Sequence, residues 1–295
     1  MPIIEQTRER YLRNPRLEAA ADGGALLHVF AWSGEQECVL RFTLGPDGSV
    51  RGEPVATDHS SAIMAWAPGK PHPVADPGAE LQAEHQGWVA TIRHEGPRST
   101  VLVTPPTGGE FVVWTALGIA AAPCIASAPG GAWVGFHHDV REDTGVADVA
   151  KWIAVRFVDM EGRVFEPAAV MTGRDRDLDG EEQGFEFPTL VVGQDGAVDI
   201  FGRGSHNIYR QRLDAGGFSP REPIDDGHWG CRGRWVSAVR LTSGSTLTAR
   251  RGRKGIEVQG FAEPTGGAPA LVDAQIEVGV TELEPARAAA WSGPQ

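Results

Sequence analysis

EFPTLVVGQDGAVDIFGRGSHNIYRQRLDAGGFSPREPIDDGHWGCRGRW, residues 186–235, reads as four short strands in a row. FPTLVV (187–192) is an apolar run suited to a strand buried on both faces. QDG (194–196) signals a tight turn, and AVDIFG (197–202) returns from it. GSHN (204–207) turns again into IYRQRLD (208–214), which alternates apolar and polar. After AGG, the stretch FSPREPI carries a proline and suits only an edge strand. An antiparallel meander that is buried at its first strand and solvated at its last has the form of a propeller blade.

The first hairpin of this unit recurs along the chain. The copies are RLEAAADGGALLHVFAW (16–32), AELQAEHQGWVATIRHEG (79–96), APCIASAPGGAWVGFHHDV (122–140), FPTLVVGQDGAVDIFGRG (187–204) and WVSAVRLTSGSTLTARRG (235–252). A second glycine turn keeps step with them: GPDG, PTGG, MEG, AGG and PTGG, ending at Gly48, Gly109, Gly162, Gly217 and Gly267. Two registers in step over five copies predict an all-β chain, a single propeller of five four-stranded antiparallel blades. The blades fall at about 16–57, 79–117, 122–171, 187–224 and 235–283 of one domain, 1–295. Residues 2–8 are expected to close the ring on blade five, because an open ring leaves unpaired strand edges. Residues 268–283 are expected to supply the outer strand of that blade and one more.

Composition fits a turn-rich β protein, with 38 Gly and 21 Pro among 295 residues. A net charge of −12 argues against nucleic acid or an anionic membrane as partner. No apolar run reaches the length of a transmembrane helix, and the first residues lack the apolar core of a signal peptide. Cys38, Cys124 and Cys231 are odd in number and far apart, which argues against a disulfide framework and for a reduced, cytoplasmic setting.

The repeat also separates two ends of the ring. Turns between strands one and two, and between three and four, are short and glycine-bound. The opposite end receives the long segments 58–78, 139–150, 172–186 and 225–234. Long loops on a rigid scaffold are where function concentrates. Aligning the copies brings Ala31, Arg93, His138, Arg203 and Arg251 to the ends of the second strands at this face. His94, His137 and Arg250 are their neighbours, and the loops add His59, His206, His228, Arg232 and Arg234. Arginine forks bind carboxylate, sulfate or phosphate through two hydrogen bonds. Histidine suits proton transfer near neutral pH. No HxH or HExxH spacing occurs, so a divalent metal on these histidines is not favoured and no cofactor is expected. Glu186 immediately precedes the apolar first strand of blade four, close to the axis. Tyr209 opens the third strand there, and Trp229 in the following loop has a face on which a sugar ring can stack.

The phrases PTLVVGQDGAVDIFGRG (188–204) and IYRQRLDAGGFS (208–219) resemble the sialidase-like, or BNR-repeat, β-propellers. The Asp-box of that family, S-x-D-x-G-x-x-W, is missing, and GPDGSV (45–50) is the nearest approach to it. The resemblance implies a glycoside hydrolase or a polysaccharide lyase acting at the axis. In the sialidases an arginine triad holds a substrate carboxylate, a role for which Arg93, Arg203, Arg232, Arg234 and Arg251 are candidates. Propeller lyases use His and Tyr with Arg around a uronate. The expectation is therefore cleavage of a small anionic saccharide by β-elimination. Arg203 with Arg232 or Arg234 would neutralise the carboxylate, His206 or His138 would take the proton, and Tyr209 or another histidine such as His228 would return one. A hydrolase using Glu186 with a loop aspartate is the alternative, and a glycan-binding propeller without catalysis is the third reading.

Overall fold

The computed structural model describes residues 3–5, 11–33, 36–57, 81–96, 98–118, 120–141, 149–166, 175–176, 182–183, 185–204, 207–224, 236–252 and 254–274. Among them there are strands, turns and no helix. β1 (Ile3–Glu5) is followed by blade one: β2 (Tyr11–Ala19), β3 (Ala25–Ser33), β4 (Gln36–Leu44) and β5 (Val50–Thr57). Blade two is β6 (Leu81–His85), β7 (Trp88–Glu95), β8 (Arg98–Thr104) and β9 (Phe111–Leu117). Blade three is β10 (Ala120–Ala128), β11 (Gly131–Arg141), β12 (Val149–Asp159) and β13 (Val164–Glu166). A small ribbon, β14 (Asp175–Arg176) with β15 (Glu182–Gln183), precedes blade four. Blade four is β16 (Glu186–Val192), β17 (Val198–Arg203), β18 (Ile208–Asp214), and an outer edge broken around Pro220 into β19 (Gly217–Phe218) and β20 (Glu222–Pro223). Blade five takes β21 (Val236–Arg240), β22 (Thr246–Arg251) and β23 (Gly255–Phe261). All the pairings are antiparallel, and the chain is a five-bladed β-propeller.

The turns form where glycine permits them. Gly48, Gly109, Gly162, Gly217 and Gly267 all have φ between 79 and 92°, a region that residues with a Cβ avoid. Four of these end hairpins between third and fourth strands. The fifth does not. After β23 the chain leaves blade five instead of folding back, because β1 already occupies the fourth position there, pairing Ile4 with Ile256. The expected outer strand of blade five is thus supplied from residues 3–5. The tail crosses the turn end of the ring, where Glu263 accepts from Gln194 N–H and from Arg240. The N–H groups of Gly266 and Gly267 both reach Asp195 Oδ2 at 2.9 Å. Finally β24 (Val272–Asp273) pairs with β13, placing this part of the tail on blade three.

Blades stack through apolar clusters that follow the period-two alternation of each strand. Trp88, Ile92 and Val101 of blade two meet Val134 and Phe136 of blade three. Trp133 and Val155 meet Leu190 and Ile200 between blades three and four. Phe201 and Ile208 meet Val236 and Phe261 between four and five. Ile4, Leu247 and Val258 meet Leu12 and Leu27 between five and one. Each such side chain contributes roughly 1.5–3 kcal/mol by leaving water.

The first strands β6, β10, β16, β21 and β2 lie next to one another in that order around the axis. As inner edges they carry backbone groups that no strand pairs. Side chains from the adjoining blade satisfy several of them. Ser237 Oγ accepts from Leu17 N–H at 2.9 Å, and Thr189 Oγ1 donates to the Val236 carbonyl at 2.7 Å. His85 Nδ1 accepts from Ser127 N–H at 3.0 Å. His137 Nδ1 accepts from Phe187 N–H at 3.1 Å.

Candidate functional site

Each first strand starts, and each second strand ends, at the face opposite the glycine turns. In blade four that places Glu186 beside Arg203, which are register partners. Their side chains form an ion pair at 3.8 Å, each about a quarter exposed. The approach depends on a bulge. Between the pairs Glu186–Arg203 and Thr189–Phe201, β16 spends three steps where β17 spends two. Thr189 faces blade five, where it bonds Val236. Plain alternation from Thr189 would send Phe187 to the same side and Glu186 to the other. The extra residue reverses this. Glu186 meets Arg203 on the blade-five side, and Phe187 turns towards His137 of blade three, ring to ring at 5.1 Å.

Phe187 is the strained residue of this bulge, with φ 54°. A left-handed conformation costs a residue with a side chain roughly 1–2 kcal/mol. Here it is offset by burial of the ring to 3% exposure and by the hydrogen bond to His137, itself 3% exposed. Pro188 follows and donates no hydrogen bond, so the bulge leaves no proline N–H to satisfy. A register slip of the same size, at a proline, occurs in two other first strands. In β10 the register slips between Ala121 and Cys124, with Ala122 at φ 50° before Pro123. In β2 it slips between Arg13 and Arg16, across Asn14 and Pro15. A proline shared by three first strands is the sequence signal that marks these bulges. The residue leading into the slip is Arg13, Ala121 or Glu186, so blade four alone offers a carboxylate there.

The other sequence candidates separate. Tyr209 is the register partner of Gly202, one step from Arg203, and so lies on the opposite face of blade four. It packs there against the edge of Phe185, with Asn207 Nδ2 at 3.5 Å from its hydroxyl. His138 turns to blade two, its ring 5.2 Å from Trp114, whereas His137 turns to blade four. Arg93 holds Glu110 two-pronged at 2.8 and 2.9 Å. Arg251, partner of Ile256, faces blade one with that residue. Arg250 faces blade four instead, is 3% exposed, and is bound by Gln259 and Glu257. It shares with Arg203 the space between blades four and five, a sharing that only the sheet register reveals. His206, His228, Trp229, Arg232 and Arg234 lie outside the described residues.

His94 has a defined role near the link from blade two to blade three. Ser99 Oγ donates to the Gly118 carbonyl at 2.7 Å and accepts from Ala120 N–H at 3.0 Å. Its one proton being used, Ser99 accepts from His94 Nδ1 at 2.9 Å. Burial lowers the pKa of His94 and so favours its neutral ring, and the bond to Ser99 places that ring's proton on Nδ1. Among the described residues no group of three or more His, Cys, Asp or Glu is placed to hold a metal ion. No helix among them is long and apolar enough to cross a membrane.

No family model matches the chain, and no curated protein matches it. Solved structures do. An endo-arabinase from Bacteroides thetaiotaomicron aligns at 13% identity and TM-score 0.46, over 90% of this chain and 99% of that one. A sucrose-6-phosphate hydrolase from Lactobacillus gasseri aligns at 14% identity and TM-score 0.43, over 90% of this chain but 61% of the other. A protein of unknown function from Dyadobacter fermentans aligns at 13% identity and TM-score 0.44, over 95% of this chain and 87% of that one. These likenesses concern the fold.

Proposed function

We propose that this propeller is a carbohydrate-active enzyme that cleaves an anionic, uronate-type saccharide at the loop end of blade four. The observation that carries the reading is the Glu186–Arg203 pair, a proton-transfer group and an anion-binding group 3.8 Å apart and each about a quarter exposed. Arg203 presents a forked guanidinium, and its long contact with Glu186 leaves donors of that fork for a second carboxylate. A uronate held there has its C5–H made more acidic, because the charge that develops on proton loss is shared with a neutralised carboxylate. A carboxylate beside that arginine is within reach to take the proton. The C–H electron pair then forms the C4=C5 double bond, and the C4–O bond breaks with its electrons on the departing sugar oxygen. That oxygen takes up a proton from water, and the carboxylate returns the proton it took to solvent.

A second reading rests on the identity of Glu186 itself. A carboxyl group at the axial start of a first strand can protonate a glycosidic oxygen, with water completing hydrolysis through a second carboxylate. One assay separates the two. A panel of uronate oligosaccharides and neutral glycosides is followed both by the ultraviolet absorbance of an unsaturated uronate and by new reducing ends. Elimination gives both signals, hydrolysis gives the second alone, and a binding module gives neither while still retaining glycan.

A further inference from the structure

We infer that His137 is a positioning residue for Glu186, acting from the neighbouring blade through the backbone of Phe187; the inference rests on the reading of Glu186 as the group that moves the proton. A backbone N–H can only donate. The 3.1 Å contact from Phe187 N–H therefore fixes His137 Nδ1 as an acceptor, and the ring as neutral with its proton on Nε2. His137 lies in β11 between Ala121 of β10 and Ile153 of β12, so packed strands on both sides hold the imidazole. Its ring meets Phe187 edge-on at 79°, which leaves Phe187 little room to turn.

What His137 holds is the one residue whose conformation decides where Glu186 points. Phe187 is left-handed and non-glycine, and such a residue persists only when its surroundings over-determine it. If Phe187 returned to an extended conformation, the register slip in β16 would close. Glu186 would then move to the blade-three side of the sheet, away from Arg203. Blade three thus sets the geometry of a site in blade four without touching substrate. Ala122 shows the contrast: it repeats the bulge conformation in blade three, where no carboxylate precedes it.

The test compares His137→Phe, which keeps a flat ring and loses the acceptor, with His137→Asn, whose Oδ1 stands near the place of Nδ1. In His137→Phe the Phe187 amide is expected to exchange with solvent about tenfold faster or more, the loss of one buried hydrogen bond. His137→Asn is expected to restore most of that protection. With the saccharide identified by the assay above, kcat should fall in His137→Phe and recover in His137→Asn, with KM little changed. Equal Phe187 exchange in wild type and His137→Phe overturns the inference. If exchange responds and no substrate is ever turned over, the reading of the site has failed and the positioning has not. Should His137→Phe fail to fold, nitrogen-15 spectra of the wild-type imidazole decide the matter. A ring carrying its proton on Nδ1 rules the arrangement out, and one carrying it on Nε2 supports it.

Discussion

Asp199, wholly buried in β17, accepts a hydrogen bond from Arg210 Nη2 at 2.7 Å, and its other oxygen accepts from Arg212 Nε at 3.0 Å. The two arginines are 15% and 24% exposed, and Arg210 also lies 4.9 Å above the ring of Phe261 in blade five. A charge taken out of water this completely is tolerated only because it is paired. Asp199→Asn leaves two guanidinium groups facing a neutral amide and should cost about 3–5 kcal/mol. Glu110→Gln breaks the Arg93 pair, whose members are 40% and 41% exposed, and should cost less than about 1 kcal/mol. Urea denaturation of the two variants side by side checks the ranking; similar midpoints would mean that Asp199 is not held as described.

The tail clasp should respond to acid. Asp195 has its pKa lowered by the backbone N–H of Gly267 first and then by that of Ala197, with burial opposing and the N–H of Gly266 adding to the depression. A carboxyl depressed in the folded state stabilises it fully above the unfolded value, ~3.9. That contribution is lost as pH falls through the lower folded value. Amide exchange at Gly266 and Gly267 should therefore be slow near neutrality and quicken, relative to the intrinsic rate, below about pH 4. Asp195→Asn should show faster exchange near neutrality and no such dependence; a wild-type protein with flat protection down to the lowest pH would contradict the clasp.

Ring closure at blade five rests on three residues of β1. Ile4 is 6% exposed and packs among Leu12, Leu27 and Ile256. Ile4→Ala should cost about 2 kcal/mol or more through lost burial and the cavity left behind. Removing residues 1–5 should do more, because it bares the edge of β23, and an exposed edge recruits other chains. Light scattering and sedimentation would report association of the truncated protein but not of Ile4→Ala.

Much of this architecture is legible in the sequence because local chemistry dictates it. Gly48, Gly109, Gly162, Gly217 and Gly267 all adopt the left-handed conformation that their spacing implies. What the fifth of them does is not local. Gly267 meets Asp195 because β1, from the far end of the chain, has taken the fourth position, the pairing expected of residues 2–8, so the outer strand expected from 268–283 has no place there. The site divides in the same way. Glu186 and Arg203 are named by their positions at the ends of β16 and β17. Tyr209 lies near them in sequence, yet one step of alternation puts it on the other face of the sheet. The bulge leaves little trace in the sequence because Phe187-Pro188 reads as an ordinary start to a strand. Only the comparison with Ala122-Pro123 and Asn14-Pro15 shows a repeated device.

The two members of the axial pair should affect binding in opposite directions. Arg203 supplies the positive charge and Glu186 competes with substrate for it across 3.8 Å. Arg203→Ala removes a charge-assisted hydrogen bond of roughly 1.5–3 kcal/mol, so kcat/KM on an anionic saccharide should fall by about one to two decades. Affinity for an inert uronate should weaken with it. Glu186→Gln is nearly the same size but carries no charge, so the fork of Arg203 is freed for the ligand. Affinity for the same uronate should rise, while kcat falls by about 10²–10⁴-fold with the loss of the proton-transfer group. The double variant Glu186→Gln/Arg203→Ala should then bind no better than Arg203→Ala alone, since the gain depends on the arginine. Calorimetric titration with the uronate, alongside initial rates, measures all three. A Glu186→Gln protein that binds more weakly than wild type would show that Glu186 contacts the saccharide as an acceptor rather than competing with it. One that turns over at the wild-type rate would remove Glu186 from the chemistry.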